Sequence, residues 1–163
     1  MKSLLVLSLA FFASSVLADV AQSVDIDKSF ARAAIKQQRN SAAFMDITNK
    51  GSQSAVVYAK SPVANIVELH THINDNGVMR MRKIKQIDLP AKKMVQLKPG
   101  GLHVMLLGLN RDLKPGDEID VTLGFADGSE KSLKVPVQNM MMKMKKNMDG
   151  HKVDGSLPKL MNH

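Results

Sequence analysis

Short stretches of alternating apolar and polar residues recur along most of the chain, and turn-forming residues separate them. We expect strands at residues 42–49, 53–60, 65–71, 78–84, 103–109, 119–125 and 131–137, with shorter extended pieces at 87–90 and 94–97. Residues 19–39 read as a lead-in with one short strand, and no stretch shows a convincing helical period. Some eight short strands with regular turn signals, such as the Asn-Asp-Asn-Gly run at 74–77, predict a β-sandwich.

The two ends of the chain depart from this pattern. Residues 1–18 combine Lys2, a short apolar run and a small-residue end at Ala18, which is typical of a cleaved secretory signal. The apolar run is too short to span a membrane, so an uncleaved anchor is the less favoured alternative. Residues 19–137 are expected to form one domain. From residue 138 to 163 the composition becomes rich in Met, His and Lys and poor in core-forming residues, which predicts a disordered tail.

The amino-acid composition excludes several kinds of functional site. The chain has no cysteine, which excludes disulfides, iron–sulfur clusters, thiol redox chemistry, a lipid-modified cysteine and a blue-copper thiolate site. The formal net charge is +8, but aromatic residues make up only 4%, so we expect no nucleic-acid partner. In an exported protein, this positive charge suits attraction to acidic proteins or anionic lipid surfaces. The simplest explanation of the charge is that it keeps the protein soluble. No nucleophile–base pair, carboxylate pair or phosphate-binding loop stands out, so we do not expect an enzyme.

Candidate metal ligands recur in pairs one residue apart. In a strand, residues i and i+2 point to the same face, so each pair shares a face. Without cysteine, the soft donors are methionine thioethers, joined here by imidazoles, and this ligand set suits Cu(I) better than zinc, calcium or magnesium. The three triplets are His70-Thr71-His72, Met79-Arg80-Met81 and His103-Val104-Met105.

The spacing of these candidate ligands is similar to that of a known protein family. Ten residues separate His70 from Met81, 21 separate Met81 from His103, and one separates His103 from Met105. This H-x10-M-x21-H-x-M arrangement, with its flanking sequence, resembles the PCu(A)C-type periplasmic copper chaperones over residues 42–137. The resemblance implies a cupredoxin-like Greek-key β-sandwich in which these four side chains bind Cu(I) at an exposed end.

The same resemblance implies partners and a location. A chaperone of this type delivers copper to a respiratory oxidase, at its binuclear copper centre, alone or beside a thiol-bearing partner chaperone. We therefore expect a periplasmic monomer whose partner is a copper-accepting oxidase subunit or such a chaperone. A periplasmic protein that buffers copper for copper tolerance would use the same site and stays an alternative. A metal-independent adhesion or scaffolding sandwich is a more distant one.

Several other side chains near the motif have open roles. His72 stands where many members of the resembled family carry Met, so it is a candidate additional or alternative ligand. Met79 shares a face with the ligand Met81 and is either a further donor or a packing residue. Glu68 either orients the first ligand histidine or is a solvated strand charge, and the second reading is the commoner one. We assign Met45 and Met94 to packing.

The tail is a candidate second copper site. A flexible chain can gather such donors around an ion, and imidazole also accepts Cu(II), although ordering the chain weakens binding. Members of the resembled family with comparable extensions support this hypothesis. The alternatives are an incidental basic tail, or a segment 140–148 that folds on a membrane or partner surface. The tail donors are Met140, Met141, Met142, Met144, Met148, His151, Met161 and His163.

Overall fold

The computed structural model describes residues 19–35 and 38–139. Within them, a short helix α1 (Val20–Ser23) begins behind Asp19, whose carboxylate accepts a hydrogen bond from the N–H of Ala21 at 2.9 Å. Ten strands follow: β1 (Val24–Arg32), β2 (Asn40–Asn49), β3 (Ser54–Lys60), β4 (Ala64–Asp75), β5 (Val78–Lys83), β6 (Ile87–Leu89), β7 (Met94–Leu97), β8 (His103–Leu109), β9 (Glu118–Phe125) and β10 (Glu130–Gln138).

The strands are hydrogen-bonded in the order β5-β4-β8-β2-β1-β10-β9-β3-β6, and β7 pairs with β2. Strands β5, β4, β8, β2, β1 and β7 form one sheet, and β10, β9, β3 and β6 form the other. The pairing of β1 with β10 joins the two sheets and is parallel, whereas the other strand pairs are antiparallel. Buried side chains from both sheets form one apolar cluster, which confirms the predicted all-β sandwich.

Alternation along the strands separates two apolar faces on the first sheet. On β8, Val104 and Leu106 are buried in the main core, whereas Met105 between them points to the outer face. On that outer face Met105 packs against a second, smaller cluster, in which the rings of Phe30 and Phe44 lie 5.0 Å apart. A fully buried Leu contributes about 1.5–3 kcal/mol to stability, so the larger inner cluster supplies most of the apolar stabilisation.

Strand β4 is longer than the sequence pattern predicted. It pairs with β8 only as far as His70, and beyond that residue it pairs only with β5. Residues 71–83 therefore project past β8 as a two-stranded hairpin, which we call the β4–β5 arm. Its turn confirms the predicted Asn-Gly signal, because Asn76 (φ 52°) and Gly77 (φ 86°) both adopt left-handed conformations. The N–H of Gly77 donates to Oδ1 of Asn74 at 2.7 Å.

Two further expectations differ from the structure. The lead-in holds the nine-residue strand β1 as well as helix α1, where only one short strand was expected. The packing role is confirmed for Met45, which is buried in the core, and is wrong for Met94, which is 52% exposed on the short strand β7. Periodicity alone cannot tell a core methionine from one on a strand too short to be covered.

Two predicted segments lie outside the described residues. These are the signal sequence at 1–18 and the Met/His-rich part of the tail at 140–163, so both stay predictions. In the described part of the chain, no helix has the length and apolar character needed to cross a membrane.

Candidate metal centre

Strand register brings the four predicted core ligands together on the outer face of the first sheet. His70 on β4 lies directly opposite His103 on β8, and the rings are 5.7 Å apart between centroids. Met105 lies two residues beyond His103 and shares its face. Met81 on β5 lies opposite His72, whose ring is 5.2 Å from that of His103.

A cleft of about 200 Å³ opens beside this cluster, and three of the four predicted ligands line it, whereas His70 does not. One wall is the turn at residues 98–101, in which the N–H of Gly101 donates to the carbonyl of Lys98 at 2.9 Å and Gly100 has a φ of 80° that disfavours other residues. The aromatic ring of Phe44 forms part of the floor, 6.1 Å from His103. The lining residues are Arg32, Ala42, Phe44, His72, Met81, Pro99, Gly100, His103 and Met105.

His70 is held by a carboxylate on its own strand. Its Nε2 lies 2.8 Å from Oε2 of Glu68, and the other oxygen of that carboxylate accepts a hydrogen bond from Lys83 at 2.7 Å. Lys83, and next His70, hold the pKa of Glu68 below its ordinary value, so this group is ionised and can only accept. Nε2 of His70 therefore carries the proton of the neutral ring. In that tautomer Nδ1, which is buried without a partner among the described residues, presents a lone pair.

His103 is held by the backbone. Its Nδ1 donates to the carbonyl of Gly101 at 2.9 Å, because a carbonyl can only accept. Its Nε2 is buried and has no partner within the described chain, and leaving such a group unpaired costs about 1–3 kcal/mol. Burial lowers the pKa of His103, against the Gly101 hydrogen bond, and the nearby His72, His70 and Arg32 lower it further. The ring is thus kept neutral, as a metal ligand must be.

The other sequence candidates are placed differently from one another. His72 lines the cleft, and its Nδ1 lies 3.4 Å from the Gly101 carbonyl, at the limit for a hydrogen bond. Met81 lines the cleft and is 42% exposed, whereas Met79 is 56% exposed and does not line it. Whether His72 or Met79 binds metal stays a prediction. Among the described residues, no three His, Asp or Glu side chains form a group that could hold a metal ion.

Some functional groups were missed or misjudged from the sequence. The commoner reading of Glu68 as a solvated charge is wrong, because its carboxylate binds His70. The role of the Gly101 carbonyl as a hydrogen-bond acceptor could not be predicted from the sequence, because every residue has a backbone carbonyl. The resemblance implied an exposed end of the sandwich. His103 is the first residue of β8 and is only 1% exposed, whereas Met81 is 42% exposed, so the cluster has a buried side and an exposed side.

Comparisons with known proteins agree with this fold. The family model described as putative lipoprotein LpqE-like matches residues 24–137. The putative lipoprotein Lxx21020 of Leifsonia xyli subsp. xyli is 39% identical over 121 residues, which cover 73% of this chain and 72% of that protein. The uncharacterized protein RP573 of Rickettsia prowazekii is 35% identical over 102 residues, covering 61% of this chain and 56% of that one.

Solved structures show the same architecture. The Cu(I) form of DR1885 from Deinococcus radiodurans superposes with a TM-score of 0.58 at 31% identity, covering 74% of this chain and 83% of that one. The copper-bound PCuAC domain from PmoF2 has a TM-score of 0.61 at 21% identity, covering 72% and 93%, and this likeness shows the fold. Because the family model spans most of the chain and the Leifsonia relative is similar over its length, the chain belongs to the LpqE-like (PCuAC) family.

Proposed function

We propose that this protein is a periplasmic copper chaperone that binds Cu(I) through His70, Met81, His103 and Met105. The observation that carries the proposal is the pair of buried, unpartnered ring nitrogens, Nδ1 of His70 and Nε2 of His103, in the described structure. They lie on the same outer face as two thioethers. Other hydrogen bonds already hold the opposite nitrogen of each ring, which is how proteins usually orient metal-binding histidines.

The chemistry of this donor set favours Cu(I). Thioethers are soft ligands that prefer the monovalent ion, and imidazole suits copper in either state. All four donors are neutral, so the loaded site carries only the charge of the ion. A site without cysteine also avoids thiol oxidation in an oxidising compartment. The Cu(I) form of DR1885 supports the same cargo for this chain.

The proposed acceptor is the copper centre of a respiratory oxidase, reached directly or through a thiol-bearing partner chaperone. This chain has no cysteine, so it cannot itself reduce an acceptor's cysteines. Relatives described as putative lipoproteins support an exported location. Deletion of the gene is expected to lower oxidase activity at limiting copper, with rescue by added copper. Normal oxidase activity with raised copper sensitivity would favour the buffering role instead.

Binding is tested by competition for Cu(I) against a chromophoric chelator and by X-ray absorption at one equivalent of copper. Nitrogen and sulfur scatterers are expected together. The double variant Met81→Ala/Met105→Ala should lose affinity, and Met94→Ala, an exposed methionine away from the cleft, serves as its matched control. A copper shell without sulfur, or unchanged affinity in the double variant, would contradict the proposed site.

A further inference from the structure

The β4–β5 arm leaves one edge of the first sheet open. Strand β5 stands at the end of the strand order, so among the described residues it has a neighbour on one side only. All six of its residues are exposed. An edge strand of this kind presents backbone N–H and C=O groups to whatever approaches it.

Apolar side chains are exposed on both faces of the arm. Ile73 is 42% exposed, Val78 55%, Met79 56% and Met81 42%. A two-stranded hairpin is marginally stable when it is not covered, and grouped exposed apolar residues mark interaction surfaces. The arm therefore has the character of a surface that is covered when the protein works.

The charge of the arm indicates which kind of partner binds it. Residues 78–83 of the arm contain Arg80, Arg82 and Lys83, and Lys85 lies two residues beyond the arm. No acidic residue occurs between positions 78 and 86. Arg80 is paired with Asp75 at 3.1 Å, and Lys83 is occupied by the Glu68 carboxylate. Arg82 and Lys85 form no ion pair within the described part of the chain. Such cations repel a second copy of the same edge, and they attract an acidic surface.

The arm also carries one of the proposed metal ligands. His70 on β4 has paired neighbours on both sides, as does Met105 on β8, whereas His103 at the start of β8 pairs with His70. Met81 lies on β5, which is supported only by β4. A partner that contacts β5 therefore touches the proposed ligand on the edge strand, whereas the other three lie on strands inside the sheet.

We infer that the β4–β5 arm is the docking surface for an acidic protein that accepts copper, and that Met81 is the ligand exchanged there. This inference rests on the proposed function. In the exchange the bond from copper to the Met81 sulfur breaks, and a bond from copper to a thioether or thiolate of the acceptor forms. Copper stays Cu(I), and no electron is transferred.

Two synthetic acceptor peptides test the docking surface. Both carry the same three methionines, and they differ only in having Asp or Asn at the remaining positions. We expect the full mature protein to pass Cu(I) to the Asp peptide about tenfold faster at low salt, with the difference shrinking as salt screens the charges. Arg82→Glu/Lys85→Glu should abolish this preference. Lys93→Glu/Lys114→Glu, which reverses two charges in loops away from the arm, should keep it.

Measuring Cu(I) affinity by chelator competition distinguishes failure of the proposed function from failure of the docking surface. No Cu(I) binding by the mature protein overturns the proposed function. Tight binding with equal transfer rates to both peptides, or equal losses in the two charge-reversal variants, overturns the docking surface alone. Vesicles of phosphatidylglycerol and phosphatidylethanolamine supply the last comparison. If Arg82→Glu/Lys85→Glu loses vesicle binding while its peptide preference is unchanged, the arm binds lipid and the inference is wrong.

Discussion

The carboxylate of Glu68 accepts a hydrogen bond from Nε2 of His70 at 2.8 Å, although the two residues are only two positions apart on one strand. Lys83, opposite His70 on β5, binds the other carboxylate oxygen at 2.7 Å. The chain of Lys83, Glu68 and His70 fixes the ring so that Nδ1 remains free. Two adjacent strands thus cooperate to orient one imidazole.

Removing this carboxylate should weaken copper binding without touching a ligand. Glu68→Ala is expected to lower Cu(I) affinity by about tenfold, the usual cost of losing a group that orients a metal-binding histidine. Glu118→Ala, an exposed strand glutamate away from the site, is the control. Competition against a chelator measures both. Unchanged affinity in a folded Glu68→Ala protein would return Glu68 to a simple surface charge.

The buried His103 should make the metal-free protein sensitive to mild acid. Burial is the largest cause of its lowered pKa, so the folded pKa lies below the ordinary value of 6.5 that applies to the unfolded chain. As pH falls below 6.5 the unfolded chain binds the proton first, so stability is lost until the folded pKa is passed. Thermal unfolding between pH ~7.5 and ~5 should show this loss. His103→Gln should reduce it, and an equal loss in that variant would contradict the assignment.

Copper binding should also weaken as the pH falls. Only neutral imidazole binds the metal, whereas thioethers do not titrate. Cu(I) affinity is therefore expected to fall as the pH drops through the histidine range, near ~6.5 for an ordinary imidazole. Chelator competition between pH ~8 and ~5 measures it. Constant affinity across this range would mean that the methionines alone hold the ion.

The sequence predicted the strands, and the grouping of the four candidate ligands, better than the contacts that hold the histidines. Alternation and turn residues located most strands, because each strand of a sandwich has one buried face. The spacing of the four candidate ligands pointed to one region of the chain, and the strand register places His70 opposite His103 there. The contacts of Glu68 and Gly101 are each made to a histidine two residues away, where the sequence allows a contact but does not require one. The exposure of Met94 depends on which strand lies beside which. No local pattern records that arrangement.

A close approach on the second sheet gives a prediction about stability. Gly124 on β9 lies opposite Tyr58 on β3, and a Cβ at position 124 would overlap the tyrosine ring. Gly124→Ala is therefore expected to destabilise the fold by about 1–3 kcal/mol, as overpacking does. Urea denaturation of this variant and of Tyr58→Ala/Gly124→Ala tests the cause, because removing the ring should recover part of the loss. Equal costs of Gly124→Ala with and without the ring would contradict the overlap.

The last prediction concerns the tail, and the structure shows where the strand before it ends. Strand β10 ends at Gln138, which pairs with Arg32 on β1, and the side chain of Arg32 lines the cleft. The tail methionines thus begin two residues beyond a position beside the proposed copper site. Donors tethered so closely act at a local concentration of about millimolar, which favours exchange of copper between tail and cleft.

Copper titration of three proteins tests this second site: the intact mature chain, a chain ending at Asn139, and an intact chain with tail Met→Leu and His→Gln replacements. The intact chain is expected to bind additional Cu(I) and Cu(II), more weakly than the cleft because ordering the tail costs entropy. The two altered proteins should bind only the core equivalent. The substituted tail keeps its length and charge, so it separates metal binding from electrostatic effects. Equal stoichiometry in all three would remove the tail from the metal chemistry and leave it as a basic segment for docking.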